Sequence, residues 1–192
     1  MDLDEFEFRT QPWFDQSTFQ GFSGAIPLKT MVVHCFDPRA VEIPQAVAER
    51  LGGEVYPGEN ILDDAGNRVG HTRTLFALSN AGGRAAAAVE AVALMDHLFD
   101  LQNVVVVHHS FCGQTAITPD QLINRVRDHH GADVSDLFDR DSLSIADFNE
   151  SVRYDIALLR QSPAVPKNIK LYGFFYEINS GKLIELARDI PA

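Results

Sequence analysis

A continuous run of β-branched residues in the middle of the chain most constrains what it can fold into. Residues 104–107 are four consecutive valines, with polar residues on both sides of them. Such a run is typical of a central parallel strand buried on both faces, because a strand with one face in water alternates apolar and polar side chains. The sheet around such a strand needs helices on both of its faces.

Strand-like and helix-like segments alternate along most of the chain, with loops at 57–70 and 131–143. Strands are predicted at 29–34, 54–56, 74–78, 104–107, 169–178 and 183–187, and helices at 41–51, 84–100, 119–130 and 144–161. Pro44 and Gly52 punctuate the first helix, the alanine-rich second helix is expected to be buried, and Ser144 is the expected N-cap of the last. The pattern predicts an α/β fold with a mostly parallel central sheet, helices on both faces and a C-terminal antiparallel hairpin.

The first 28 residues are rich in aromatic side chains that follow no regular period. They are Phe6, Phe8, Trp13, Phe14, Phe19 and Phe22. That is too many aromatics for a disordered tail, so residues 1–28 are predicted to form an N-terminal arm that packs on its own core or on a partner subunit. Residues 29–192 are long enough for one domain with one core.

Composition excludes several classes of protein. The chain is 45% hydrophobic and 22% charged, as in soluble globular proteins, and no run approaches the roughly 20 apolar residues that span a bilayer. The net charge of −11 makes nucleic acid an unsuitable partner, because a phosphate backbone needs a basic face. The acidic N-terminal residues do not resemble a secretory or transit signal, so we expect a cytoplasmic protein that does not bind membranes.

Both cysteines follow predicted strands. Cys35 ends the first strand, and Cys112 lies three residues after His109 at the end of the valine strand. Since ligands of parallel sheets sit beyond the carboxyl ends of the strands, the three side chains are expected to meet there. Two thiolates and one imidazole suit Zn²⁺ and leave its fourth position open. Two alternatives remain, a pair of inert buried thiols and a structural disulfide.

Asp37 and Arg39 come directly after Cys35 and are two residues apart, so in an extended segment they face the same side. An arginine can hold a carboxylate by two parallel hydrogen bonds. Fixed in this way, Asp37 can accept a hydrogen bond from water or hydroxide on the metal. Alternatively, Asp37 takes the fourth position on zinc itself and closes the site.

These motifs together resemble the β-class carbonic anhydrase family. The family pairs a Cys-x-Asp-x-Arg segment, here Cys35 to Arg39, with a His-x-x-Cys-Gly segment, here His109 to Gly113. Its intervening Arg-Asn-Ala-Gly motif corresponds to residues 79–82, with Ser79 in place of arginine. The end of the chain, residues 172–183, is similar to the family's last strand pair. The resemblance covers about residues 29–187.

The resemblance implies roles for these residues. Cys35, His109 and Cys112 are expected to ligate Zn²⁺, and Asp37 and Arg39 to form the catalytic pair. The expected reaction is the hydration of CO2 to bicarbonate by a metal-bound hydroxide. The family also implies a homodimer or tetramer, in which the N-terminal arm reaches over a neighbour and the cleft lies at the subunit interface.

The substrate pocket is expected to include Phe36, Phe111, Gly82 and Gly83, the last two through a close approach of their backbone to the cleft. The two phenylalanines make the cleft apolar, which suits a linear triatomic molecule. Relatives similar to carbonyl sulfide hydrolase therefore give a second hypothesis, the hydrolysis of carbonyl sulfide or carbon disulfide at the same metal. A third hypothesis is a non-catalytic zinc or thiol module.

Overall fold

The computed structural model describes residues 3–191, so Met1 and Asp2 of the predicted arm and Ala192 of the predicted main domain lie outside the described residues. Its main sheet has five strands in the order β4-β1-β5-β6-β7. Their bounds are Thr30–Cys35 (β1), Leu75–Asn80 (β4), Asn103–His109 (β5), Lys170–Glu177 (β6) and Lys182–Asp189 (β7). A separate ribbon pairs β2 (Asn60–Leu62) with β3 (Arg68–His71).

The four strands β4, β1, β5 and β6 run parallel, and β7 returns antiparallel to β6. This confirms the predicted mostly parallel sheet with a C-terminal hairpin. Cys35 is in register with Asn80 of β4, and His34 with Val107 of β5. The chain leaves β1 for one side of the sheet and crosses to the other side for β5, so β1 and β5 flank the switch point where α/β sheets bind ligands.

Both faces of the sheet are covered, as the valine run predicts. The helices are α1 (Ile43–Leu51), α2 (Val89–Phe99), α3 (Pro119–His130) and α4 (Phe148–Gln161). On one face, Val104 and Val106 pack with residues of α2 and α4. On the other face, Val105 and Val107 pack with residues of α1. All four valines are fully buried, which is the packing that a continuous β-branched run favours.

The segment between α1 and β4 differs from the prediction. Residues 54–56 form no strand, although Val55 exchanges hydrogen bonds with Thr74. The predicted loop at 57–70 instead contains most of the ribbon of β2 and β3. The Asp63 side chain accepts hydrogen bonds from the backbone of Ala65 and Asn67, which closes the tight turn that joins the two strands.

Two helices begin later than predicted. α2 begins at Val89, because Arg84 has an extended backbone and residues 85–87 form only a 3-10 turn. The expectation that this helix is buried also fails in part, since Leu94 on α2 is exposed. α4 begins at Phe148, and its N-cap is Asp147, whose side chain accepts from the Glu150 N–H. Ser144 lies outside the helix because its carbonyl binds Arg84.

The N-terminal arm packs on its own domain within the described residues. Its aromatic rings form a chain of contacts that ends with Phe22 against Phe99 of α2, with ring centroids 5.7 Å apart. The Phe22 N–H also donates to the Leu98 carbonyl. Phe6 and Trp13 remain largely exposed. Packing of the arm on a partner subunit stays a prediction.

Across residues 3–191, no helix is both long and apolar enough to cross a bilayer. The cytoplasmic location stays a prediction from the sequence.

Candidate metal centre

The carboxyl ends of β1 and β5 bring the predicted ligands together. Cys35 is the last residue of β1, His109 is the last residue of β5, and Cys112 follows one turn later. The ligand atoms of these three buried residues all lie within 4.8 Å of one another. Phe111, which has a left-handed backbone (φ 56°), makes the turn that brings Cys112 back towards Cys35. The structure therefore assembles a cluster that can hold a metal ion.

His109 is oriented as a metal ligand needs to be. Its Nδ1 lies 2.9 Å from the Ser110 carbonyl oxygen, and since a carbonyl only accepts, Nδ1 carries the proton. The lone pair is then on Nε2, which is buried and has no hydrogen-bond partner within residues 3–191. A bound metal would satisfy this atom, and a backbone carbonyl behind the ring is the usual support of a ligating histidine.

The two thiols interact with each other. Both cysteines are free, so the alternative of a structural disulfide is not what the structure shows. Hydrogen bonding from the Cys112 thiol lowers the pKa of Cys35 against the opposing effect of burial. The same contact, together with burial, raises the pKa of Cys112. Two sulfurs and one imidazole nitrogen are the donors that Zn²⁺ prefers, so Zn²⁺ is the cofactor that fits this cluster.

Asp37 and Arg39 form the predicted pair. Arg39 holds both carboxylate oxygens, with Nε 3.0 Å from Oδ1 and the terminal NH2 group 2.7 Å from Oδ2. The same NH2 group donates to the Phe111 carbonyl at 3.1 Å, which ties the pair to the turn before Cys112. These hydrogen bonds from Arg39 hold the pKa of Asp37 well below its usual range. Asp37 is not part of the cluster of possible metal ligands found in residues 3–191.

Gly82 and Gly83 approach the site closely through their backbone, and both are buried with left-handed φ angles. A Cβ at Gly83 would lie 2.6 Å from the Val107 carbonyl oxygen, and one at Gly82 would overlap the side-chain amide of Gln114. Residues 82 and 83 therefore need to be glycine for the loop after β4 to reach the ends of β1 and β5. Their predicted role in a substrate pocket stays a prediction.

Phe36 and Phe111 lie at the opening of the site, next to the pair of Asp37 and Arg39. They are 65% and 69% exposed, which is far more than large apolar side chains usually are in a folded domain. Both phenylalanines are thus available to a substrate or to a partner subunit. Their predicted contact with substrate stays a prediction.

Sequence reasoning assigned no role to His108, Arg84 or Asp155, which form a buried network beside the metal cluster. Two signals in the sequence mark them. Arg84 is the single charged residue in an apolar stretch at 81–89, and Asp155 has helical spacing with the apolar residues Val152 and Leu159. A charge on the apolar face of a helix indicates a buried partner.

Comparisons with known proteins agree with this geometry. No family model matches the chain. Over 98 residues it is 26% identical to β-carbonic anhydrase 1 of Mycobacterium tuberculosis, covering 51% of this chain and 58% of that protein. It is 23% identical over 138 residues to the carbon disulfide hydrolase of Acidithiobacillus thiooxidans, covering 64% of this chain and 69% of that protein. The chain thus spans less than two thirds of the mycobacterial relative's length.

Solved structures show the same fold. The carbonic anhydrase of Glaciozyma antarctica is 23% identical, with a TM-score of 0.63 and coverage of 97% of this chain and 100% of that one. The tetrameric β-carbonic anhydrases of the ascomycete Sordaria macrospora are 17% identical, with a TM-score of 0.50 and coverage of 96% and 91%. The resemblance to β-carbonic anhydrases and their carbon disulfide hydrolase relatives, predicted from the motifs, is confirmed.

Proposed function

We propose that this chain is a zinc-dependent enzyme that hydrates CO2 to bicarbonate. The observation that carries the proposal is the combination of a three-donor metal cluster with an arginine-held carboxylate beside it that is not itself a ligand. A structural zinc site normally has four protein ligands, whereas a catalytic site has three and keeps one position open. Cys35, His109 and Cys112 are the three residues that would hold the ion.

When bound, Zn²⁺ lowers the pKa of water in its open position and so supplies a nucleophile at neutral pH. Asp37 has a different part. Because Arg39 keeps its carboxylate ionised, Asp37 can only accept a hydrogen bond, so it orients an O–H donor at the opening of the site. Arg39 fixes this geometry through its second contact with the Phe111 carbonyl. The overall reaction consumes water and CO2 and yields bicarbonate and a proton.

A second candidate is the hydrolysis of carbonyl sulfide or carbon disulfide at the same metal, with release of hydrogen sulfide. The exposed Phe36 and Phe111 favour it, because they surround the opening with apolar surface that suits a less polar substrate. The similarity to a carbon disulfide hydrolase supports it as well. The non-catalytic alternative is less well supported, since a module that only binds zinc has no need of the carboxylate that Arg39 holds.

Two assays on the zinc-loaded protein test the proposal. Stopped-flow measurement of CO2 hydration is expected to show activity well above the buffer rate. Sulfide release from carbonyl sulfide and from carbon disulfide is measured in parallel. Sulfide release without CO2 hydration would replace the first candidate by the second. Zinc binding with neither activity would leave the non-catalytic module.

The metal ligands are tested by Cys112→Ala. We expect this variant to lose most of its zinc, because two ligands remain and the cluster loses a thiolate. Zinc content is measured by elemental analysis of the purified protein. A variant that retains stoichiometric zinc would contradict the assignment of Cys112 as a ligand.

We also propose that the active form is a homodimer or tetramer. The arm leaves Phe6 and Trp13 exposed, and Phe36 and Phe111 are exposed at the opening of the site, so apolar surface is available in both places. The tetrameric neighbours from Sordaria macrospora support association of this kind.

A further inference from the structure

Arg84, Asp155 and His108 form a charged network in the interior. Asp155 on α4 is fully buried, His108 is fully buried in β5, and Arg84 is only 2% exposed. Arg84 grips the carboxylate twice, with Nε 2.9 Å from Oδ2 and an NH2 group 3.2 Å from Oδ1 of Asp155. His108 Nε2 lies 3.0 Å from the same Oδ2 atom. Since the carboxylate is already held by the arginine, Nε2 of His108 carries the proton and donates it.

Arg84 also holds two neighbouring segments. Its guanidinium donates to the Ser144 carbonyl at 2.7 Å and to the Asp141 carbonyl at 3.1 Å, in the segment that precedes α4. Its backbone is tied to Asn80, whose side chain accepts from the Arg84 N–H and donates to the Arg84 carbonyl, both at 2.9 Å. One residue thus joins the end of β4, the segment before α4, and α4 itself.

Each branch of the network ends at a different metal ligand. Asn80 is in register with Cys35, and its carbonyl accepts from the N–H of Phe36. His108 is covalently next to His109. The third branch passes from Ser144 to Ile145, which packs against Cys35 and Cys112. The Ile145 N–H also donates to the carbonyl of Gln114, two residues after Cys112.

Stability alone is a weak explanation for such a network. Removing an ion pair from water costs several kcal/mol per ion, and well-packed apolar residues of similar volume often replace a buried pair without loss of stability. What apolar residues cannot reproduce is direction, because Arg84 makes hydrogen bonds in fixed orientations to three separate segments. These are the segments that must keep three ligands within bonding distance of one ion.

We infer that Arg84, Asp155 and His108 are positioning residues that hold the three metal ligands in their binding geometry. The inference rests on the proposed zinc site. It assigns to the network a share of the metal affinity that is separate from its effect on folding. Residues that orient ligands from behind typically contribute about 10-fold to 100-fold in metal affinity.

The experiment compares metal affinity with the stability of the metal-free protein. The double variant Arg84→Met with Asp155→Leu removes both buried charges together, and His108→Leu removes one branch while leaving the ion pair intact. Zinc affinity is measured by competition with a chromophoric chelator, and ligand geometry by the visible absorption of the cobalt-substituted protein. Thermal unfolding of the metal-free form reports stability.

A matched control lies at the other end of α4. Arg160 also pairs with a carboxylate, Asp189, at 2.9 Å and also donates to two backbone carbonyls, those of Lys167 and Ile169. Neither these carbonyls nor Asp189 contact the metal cluster. The variant Arg160→Met with Asp189→Leu is therefore expected to keep the zinc affinity and the cobalt spectrum of the parent protein.

The expected result is at least about a tenfold loss of zinc affinity and an altered cobalt spectrum in the double variant, with a metal-free melting temperature at or above that of the parent. His108→Leu is expected to change both readouts in the same direction, and it decides the question if the double variant does not fold. Unchanged zinc affinity and spectrum, or an equal loss in the Arg160 control, would overturn the inference. Failure of the parent protein to bind zinc would instead overturn the proposed function.

Discussion

At the scale of single residues, the second contact of each side chain decides what its free atom can do. The Ser110 carbonyl takes the proton of His109 Nδ1 and leaves Nε2 to face the two sulfurs. Arg39 takes both oxygens of Asp37 and keeps that carboxylate ionised and out of the cluster. These contacts distinguish an open catalytic site from a closed structural one, because either residue could otherwise turn towards the metal or away from it.

Asp37→Ala is expected to keep zinc and to lose turnover, because it removes the hydrogen-bond acceptor at the opening but none of the three ligands. We expect a loss of about 100-fold or more in kcat/KM, measured by stopped-flow CO2 hydration or by sulfide release. The control is Glu185→Ala, since Arg188 grips Glu185 by the same two-bond contact on β7. Full activity in the Asp37 variant would refute its catalytic role.

Phe111→Gly is expected to leave stability unchanged or to raise it by up to about 1 kcal/mol. A left-handed backbone costs a non-glycine residue about 1–2 kcal/mol, which offsets the entropy that glycine loses on folding. Phe36 is equally exposed but has no left-handed φ, so Phe36→Gly is expected to lower stability by about 0.5–1 kcal/mol. Urea denaturation of both variants measures the difference, and a larger loss for Phe111 would disprove the argument from strain.

At the scale of elements, the connection after β4 does most to shape the site. Gly82 and Gly83 carry the chain under the ends of β1 and β5, and Arg84 then turns inwards to Asp155 before α2 can begin. The late start of α2 is thus a consequence of the site. A helix that began at residue 84 would pull the guanidinium away from the carboxylate that it neutralises.

Gly83→Ala is expected to lower the free energy of unfolding by at least about 2 kcal/mol, because its φ is left-handed and the new Cβ would meet backbone atoms of Val107 and His34. Gly131→Ala is the matched control, since Gly131 has φ 66° but open space around it. We expect this control to cost only about 1 kcal/mol. Equal losses in urea denaturation would show that the close approach at Gly83 is unimportant.

Element prediction succeeded where the signal was local. The valine strand, the proline-initiated α3 and the final hairpin lie where their patterns indicated. It failed where distant groups decided the outcome. The start of α2 depends on Asp155, 71 residues away, and Ser144 is kept out of α4 by the Arg84 guanidinium. No window of sequence around residue 84 or 144 contains that information.

At the scale of the whole molecule, exposed apolar side chains occur in the arm and at the opening of the site. Phe6 is 70% and Trp13 is 69% exposed, while the rings of Phe14, Phe19 and Phe22 connect the arm to α2. The inner part of the arm is therefore anchored to its own domain, and the outer part presents apolar surface. This division suits an arm that bridges two subunits.

The double variant Phe6→Ser with Trp13→Ser is expected to shift the protein towards monomer and to leave its melting temperature nearly unchanged at high dilution, because these exposed side chains contribute little to the folded monomer. Sedimentation velocity over a range of concentrations measures the shift. Leu94→Ser on α2 is the control, as an exposed apolar residue outside the arm. An unchanged oligomeric state in the arm variant would contradict the proposed role of the arm.

The sequence by itself determined the α/β class, the central strand, and Cys35, His109 and Cys112 as candidate ligands, because periodicity and donor chemistry are local properties that a strand carries with it. Only the tertiary structure decided that the three donors meet, that Arg39 keeps Asp37 apart from them, and that Arg84 joins the segments behind them. Those outcomes depend on contacts between residues tens of positions apart. Their energies exist only once the sheet has brought the strand ends to a common edge.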